Sequence, residues 1–355
     1  MTSRRLDSLA AIHRVDRADM LGLIDDLPTQ CRQGYETGWR LPLRCPRPVG
    51  QVVFVGMGGS AISGDLVKAV LTDRARVPIS VQRTYTLPAS VSRQTLVIAS
   101  SYSGDTEETL SAYRQARRRG ALVAAVTSGG TLARWAQRGG VPWGRVPSGL
   151  PPRAALGYLA ATPLGLLARL GLSPITAAQV RAATAATARI ARAWAPEVPT
   201  RRNLAKQLAH QLLGRLVVVY GADGGWEAVV ARWRGQLAEN AKALASSHLF
   251  PEMTHNEING WAFPRPLVRR CAAVFLTDRT VHPRVQRRMT ITARIIRQVG
   301  ARVVPVAVPG PSRLSRILSM IALGDYLSVY LALLHRVDPT PVEYVTAMKR
   351  RLSRS

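Results

Sequence analysis

The sequence predicts an α/β protein built from two doubly wound parallel sheets, and three observations predict it. Strand-like and helix-like patterns alternate along most of the chain. The alternation breaks at a proline-flanked stretch, Pro196 to Pro199, and then restarts. In the first half, two strand-like runs lead directly into glycine- and hydroxyl-rich turns that open helices. With 355 residues, 47% of them hydrophobic, the chain is long enough for one large or two medium cores.

In order, a helical segment near 18–27 precedes strands at 51–56, 79–84, 95–100 and 121–127 and a shorter one near 143–146. Helices at 61–71, 106–119 and 132–138 connect them, as parallel pairing requires. A Pro/Gly-rich loop, 147–152, leads into a helix at 153–170, followed by an alanine-rich helix at 177–194. The second half reads helix 203–213, strand 215–220, helix 226–245, strand 272–277, helix 283–299, strand 303–308, helix 313–335 and a terminal helix 342–352. We therefore expect a first domain at 1–197, with its core at about 45–170, and a second at 198–355 that ends in the C-terminal helix.

The run Ser100-Ser101-Tyr102-Ser103-Gly104-Asp105-Thr106 carries the clearest chemistry. Backbone N–H groups at a helix start are unpaired and sit at the positive end of the helix dipole, so such a turn holds anions. Ser101, Ser103 and Thr106 add hydroxyl donors without charge, which suits a phosphate better than a metal. One such hydroxyl is an ordinary helix cap. Three around one glycine, with a second turn of the same kind at Gly56-Met57-Gly58-Gly59-Ser60, point to an anion cradle. The second turn carries Ala61 at the last position of a dinucleotide fingerprint, which tolerates alanine there, but no acidic residue ends the strand at 79–83 to hold a ribose. It reads as a sugar-phosphate cradle.

Forty-nine basic against 21 acidic residues give a net charge of +28. Such a charge suits a polyanion partner, but only Lys68, Lys206, Lys242 and Lys349 are lysines, and the arginines are scattered over helix faces without interleaved aromatics. A compositional arginine bias explains this better than nucleic-acid binding. Cys31, Cys45 and Cys271 form neither a disulfide framework nor a zinc spacing, so a reducing cytoplasm is expected. The stretch 1–7 lacks the apolar core of a signal peptide. The apolar run 317–334 reaches membrane length but carries Asp325, so it reads as a buried helix and no membrane is implied.

Five motifs fall in one order: Val55-Gly56-Met57-Gly58-Gly59-Ser60, Ser101 to Glu108, Pro152-Arg153-Ala154-Ala155-Leu156-Gly157-Tyr158, Glu239-Asn240-Ala241-Lys242 and His255-Asn256-Glu257-Ile258. Through them the chain resembles the bifunctional phosphoglucose/phosphomannose isomerase family, built from two flavodoxin-like sugar isomerase (SIS) domains, from about residue 20 to the C-terminus. The resemblance implies aldose–ketose isomerisation of glucose 6-phosphate, and of mannose 6-phosphate, through a cis-enediol. It implies a homodimer and neither metal nor organic cofactor. Gly59, Ser60, Ser101, Ser103 and Thr106 match the family's phosphate-binding positions.

Glu239 matches the base that carries the proton between carbons, a role that needs a pKa raised toward neutrality. His255 matches a ring-opening residue contributed across the dimer interface, and Lys349 its helper. Arg153 matches the cation that offsets enediolate charge. Asn240 and Lys242 are read as structural, and Glu257 as a competing carboxylate ranked below Glu239. Val342 stands about where relatives that handle both epimers carry a hydroxyl, so glucose activity is the firmer expectation. Two alternatives remain open: a non-catalytic sugar-phosphate sensor, which would lose the acid–base set, and an isomerase of amino-sugar phosphates.

Overall fold

The computed structural model describes residues 3–352. The ends of the two expected domains, 1–2 and 353–355, lie outside the described residues, as does part of the stretch read as lacking a signal sequence. Where the sequence suggests one helix near 18–27, four short helices precede the first sheet: α1 (Ser3–Leu6), α2 (Leu9–Val15), α3 (Met20–Asp25) and α4 (Leu27–Arg40). Ser8 caps α2 by accepting the Ala11 N–H, and Asp19 caps α3 by accepting that of Gly22. Pro28 lies in the first turn of α4, where its missing N–H leaves no helix bond unmade.

The first sheet holds β1 (Gln51–Val55), β2 (Ile79–Gln82), β3 (Thr95–Ser100), β4 (Leu122–Thr127) and β5 (Trp143–Arg145), all parallel in the order β2-β1-β3-β4-β5. Helices α5 (Gly58–Leu71), α6 (Glu107–Arg118) and α7 (Gly130–Arg138) make three of its crossovers. Alternate strand residues face opposite ways. Val53, Val55, Val97 and Ala99 pack against Ala112 and Ala116 of α6 and Leu132 of α7, whereas Val52, Phe54, Leu96 and Ile98 enter the central core.

Helices α8 (Leu156–Arg169), α9 (Ala177–Ala191) and α10 (Leu204–Leu212) lead to the second sheet. It contains β6 (Leu216–Ala222), β7 (Ala245–Phe250), β8 (Cys271–Leu276) and β9 (Arg302–Val306), parallel in the order β7-β6-β8-β9. Its helices are α11 (Glu227–Glu239), α12 (Arg265–Val268) and α13 (Pro283–Gln298), with α14 (Arg313–His335) and α15 (Glu343–Leu352) following β9. The fold class therefore matches the expectation, with one correction. The helix expected at 226–245 ends at Glu239, and the missed β7 follows as an edge strand. Lys242 turns the chain into a left-handed conformation (φ 56°), which no α-helix can continue, and Pro251 closes the strand.

One apolar core runs between the two sheets, with α14 at its centre. This helix is long and apolar enough to cross a membrane, yet its most apolar stretch is entirely buried against protein. Around it, α4 and α8 pack with their backbones nearly touching. A Cβ on Gly38 would overlap the Thr162 carbonyl, and one on Gly165 the Tyr35 carbonyl. Replacing Gly38 with Ala forces the pair apart. We expect destabilisation of about 1–3 kcal/mol or more, read as a lower urea midpoint at an unchanged slope; an unaltered midpoint would mean that the helices separate without penalty.

Candidate active site

The hydroxyl turns meet where the strand order of the first sheet reverses, at the carboxyl ends of β1 and β3, the place where open α/β sheets bind ligands. After β1 the chain passes Gly56 and Gly58 (φ 51°) into α5. Gly56 lies so close to β3 that a Cβ there would stand 2.9 Å from the Ser100 carbonyl oxygen. Ser60, in the first turn of α5 and 6% exposed, accepts the Tyr102 N–H on its Oγ at 3.2 Å, which ties one turn to the other. In the second turn, Ser101 Oγ accepts the Gly104 N–H at 3.1 Å and shares a 2.9 Å hydrogen bond with Thr106 Oγ1. Thr106 stands at the N-cap of α6, but its side chain makes no capping bond. Ser103 is exposed at the rim, its Oγ accepting the Asp105 N–H at 3.3 Å. Asp105 puts no carboxylate into the cradle: its Oδ1 accepts the Thr131 N–H at 2.8 Å, at the start of α7. The turns thus present several hydroxyls and helix-start N–H groups around one place, with the Asp105 carboxylate turned to Thr131.

Gly59 brings the next component. A Cβ here would lie 3.3 Å from the Pro152 carbonyl oxygen, so the backbone before Arg153 runs against the glycine turn. Arg153 is 3% exposed and fully engaged. Its Nε donates to Asn240 Oδ1 at 2.6 Å, and its Nη2 to the carbonyls of Pro339 at 2.7 Å and Thr340 at 2.9 Å. Its Nη1 stands 3.6 Å from Glu239 Oε2. Burial pulls the guanidinium pKa below its usual value, and the Glu239 carboxylate opposes that shift. The result is an immobile cation beside a carboxylate that is 42% exposed and free to face a ligand.

A buried network fixes this pair. Arg232 donates from Nε and Nη2 to the two carboxylate oxygens of Asp325 at 3.0 and 2.8 Å, and its Nη2 also reaches the Arg153 carbonyl at 2.8 Å. Asn240, wholly buried, donates from Nδ2 to Ser328 Oγ at 2.9 Å. Asn240 is therefore the piece that sets the Arg153 fork, and Asp325 in the apolar run is its remote anchor. Spacing alone reveals neither contact, although the isolated acid within an apolar helix signalled the second. The structure also shows a hydroxyl that sequence reasoning missed. Thr340 Oγ1 is buried without a hydrogen-bond partner in the loop that receives Arg153, two residues before Val342.

The two remaining expected residues are not brought to this cluster. His255 ends a short 3-10 turn after β7, is exposed, and its imidazole makes no hydrogen bond among the described residues. Lys349 lies on α15, all of whose described side chains are exposed, Tyr344 to 93%. Glu257 is committed elsewhere: it accepts from the Tyr220 hydroxyl and shares a 2.6 Å hydrogen bond with His248 Nδ1. Among the described residues no three His, Cys, Asp or Glu stand together as a metal site.

Two parallel sheets with hydroxyl turns at the switch point of the first define a double SIS-domain protein. Residues 47–138 match the SIS domain family, and residues 201–352 match the bacterial phospho-glucose isomerase C-terminal SIS domain. The chain is 41% identical to a bifunctional phosphoglucose/phosphomannose isomerase of Caldicellulosiruptor bescii, over 94% of this chain and 99% of that one. It is 34% identical to a protein of the same name from Aquifex aeolicus, over 86% and 92%. Among solved structures, a hypothetical protein of Thermus thermophilus superposes with a TM-score of 0.72 at 19% identity, covering 100% of this chain and 94% of that one, which speaks to the fold. The chain belongs to the bifunctional phosphoglucose/phosphomannose isomerase family.

Proposed function

We propose that the protein interconverts glucose 6-phosphate, and mannose 6-phosphate, with fructose 6-phosphate by proton transfer through a cis-enediol. The observation that carries this reading is the exposed Glu239 carboxylate held 3.6 Å from the buried Arg153 guanidinium, with the Arg153 backbone against the anion turns. Gly59, Ser60, Ser101, Ser103 and Thr106 grip the phosphate. Glu239 removes the C2 proton of the aldose and returns it to C1 while the hydroxyl proton passes from O2 to O1, so the carbonyl moves from C1 to C2 with no net change of atoms. Arg153 offsets the negative charge that builds on the enediolate oxygens, and it does so without reorganising because its Nε and Nη2 are already held, which leaves Nη1 on the side of Glu239.

His255 and Lys349 open the sugar ring in this reading. Their distance from the cluster within one chain supports a homodimer in which His255 completes the site of a second copy. We place the protein in the cytoplasm, with its domains divided at 197/198 in the proline-flanked stretch. No cofactor is required for the chemistry. Deleting residues 343–355 should leave the urea midpoint unchanged, because α15 is exposed, but lower kcat about 100-fold through loss of Lys349. Undiminished activity in that variant would remove Lys349 from the site.

The decisive experiment is proton NMR of the protein with fructose 6-phosphate in deuterated water. Aldose 6-phosphate carrying deuterium at C2 establishes the enediol route, and the mixture of epimers formed establishes substrate scope. Tight binding without exchange would instead indicate a sugar-phosphate sensor.

A further inference from the structure

Lys242 follows Glu239 by three residues and occupies a backbone position that a lysine does not favour. Its φ of 56° is left-handed, at the turn that ends α11, where glycine is the common residue and a Cβ adds strain. A lysine kept there has a use for its side chain. Although the residue is exposed, its ammonium folds back to donate to the Glu239 carbonyl at 2.6 Å and to the Pro339 carbonyl at 2.9 Å. Pro339 is the same carbonyl that receives Arg153 Nη2. Two cations from different elements thus converge on one carbonyl, and one of them also grips the backbone of the proposed base. On the other side of the turn, His335 Nδ1 lies 2.9 Å from the Ala241 carbonyl oxygen.

We infer that Lys242 is a positioning residue for the isomerisation: its ammonium clamps the Glu239 turn to the Pro339–Thr340 loop and so holds the carboxylate in register with Arg153. This inference rests on the reading of Glu239 as base. The clamp also adds charge. Burial, and then the Arg153 guanidinium, lower the Lys242 pKa, opposed by Asp338, Glu239 and Glu343. Together with His335, these are the ionisable groups that face it.

The left-handed backbone makes the test sharp. Glycine suits that conformation better than lysine, so Lys242→Gly keeps the turn and removes only the clamp. Expected are a melting temperature equal to or above that of the parent, KM for fructose 6-phosphate within about threefold, and kcat lower by about 10–50-fold. Lys242→Arg, which preserves the donor and charge, should restore much of the loss.

Wild-type kcat in Lys242→Gly would overturn the inference and make Lys242 a helix-terminating residue. So would a loss of activity matched by a loss of melting temperature and restored in Lys242→Asn, since asparagine tolerates the turn but lacks the ammonium. Failure of the underlying reading looks different: the parent protein itself would then show no deuterium exchange at C2, or Glu239→Gln would retain it.

Discussion

Glu239→Gln should abolish isomerisation while leaving substrate affinity and stability nearly intact. Glutamine keeps the size of the side chain and its contact distance to Arg153 but cannot accept a proton at neutral pH. A positioned general base contributes about 10²–10⁴ in rate, and the proposed role gives Glu239 both the removal and the return of the proton, so kcat should fall by about 10³-fold or more. Fructose 6-phosphate binding should stay within about threefold, because the proposed phosphate cradle lies on the turns of the first sheet, apart from Glu239 on α11. Stability should change by less than about 1 kcal/mol. The Glu239 carboxylate is 42% exposed, and solvent screens its pairing with Arg153, which keeps its three other hydrogen bonds. The measurement is deuterium entry at C2 alongside a binding titration. Retained exchange in the variant would place the base elsewhere.

Asp325→Ala has the largest expected effect on stability. The Asp325 carboxylate is buried in α14 and receives both Arg232 nitrogens. Its removal leaves a guanidinium inside the core with one remaining acceptor, the Arg153 carbonyl. Uncompensated buried charges of this kind cost about 3–5 kcal/mol. Urea unfolding should therefore show a much lower midpoint. Replacing both partners with apolar residues, Arg232→Met with Asp325→Leu, should recover most of that loss, because a well-packed apolar pair avoids the desolvation penalty altogether. Recovery of stability without recovery of kcat would show that Arg232 also serves the site through the Arg153 backbone. If the single variant unfolds like the parent, the pair is not the anchor described above.

Much of the fold was legible because local periodicity and burial agree. Continuous apolar runs such as 95–100 lie in fully buried parallel strands, and glycine or hydroxyl residues end them where helices begin. The edge strand Ala245–Phe250 was not legible, because a strand half open to solvent carries serines and a histidine in place of an apolar run. The short helices before Arg40 were hidden for another reason. The helical segment expected at 18–27 stops where Pro28 follows, yet Pro28 occupies the first turn of α4, where proline is tolerated.

The candidate site divides along the same line. Each hydroxyl turn is a local device, written in consecutive residues, and so are the motifs that single out Arg153 and Glu239. What consecutive residues do not encode is convergence. Asn240 and Lys242 read as structural, yet one orients the Arg153 fork and the other grips the turn of the proposed base. Thr340 drew no attention until burial showed its hydroxyl without a partner.

The sequence by itself determined the alternation of strands and helices in both halves, though not β7 or the N-terminal helices, and with it the two hydroxyl turns and the family to which the chain belongs. The tertiary structure decided which of those pieces meet. It brought Gly59 against Pro152, Arg153 against Glu239 and Asn240, and Asp325 beneath them through Arg232, across separations of about ninety residues in each long-range pair. The physical reason is that backbone propensity and hydrophobic period act over a few residues. A buried cation, by contrast, must find its acceptors wherever packing of the whole core places them.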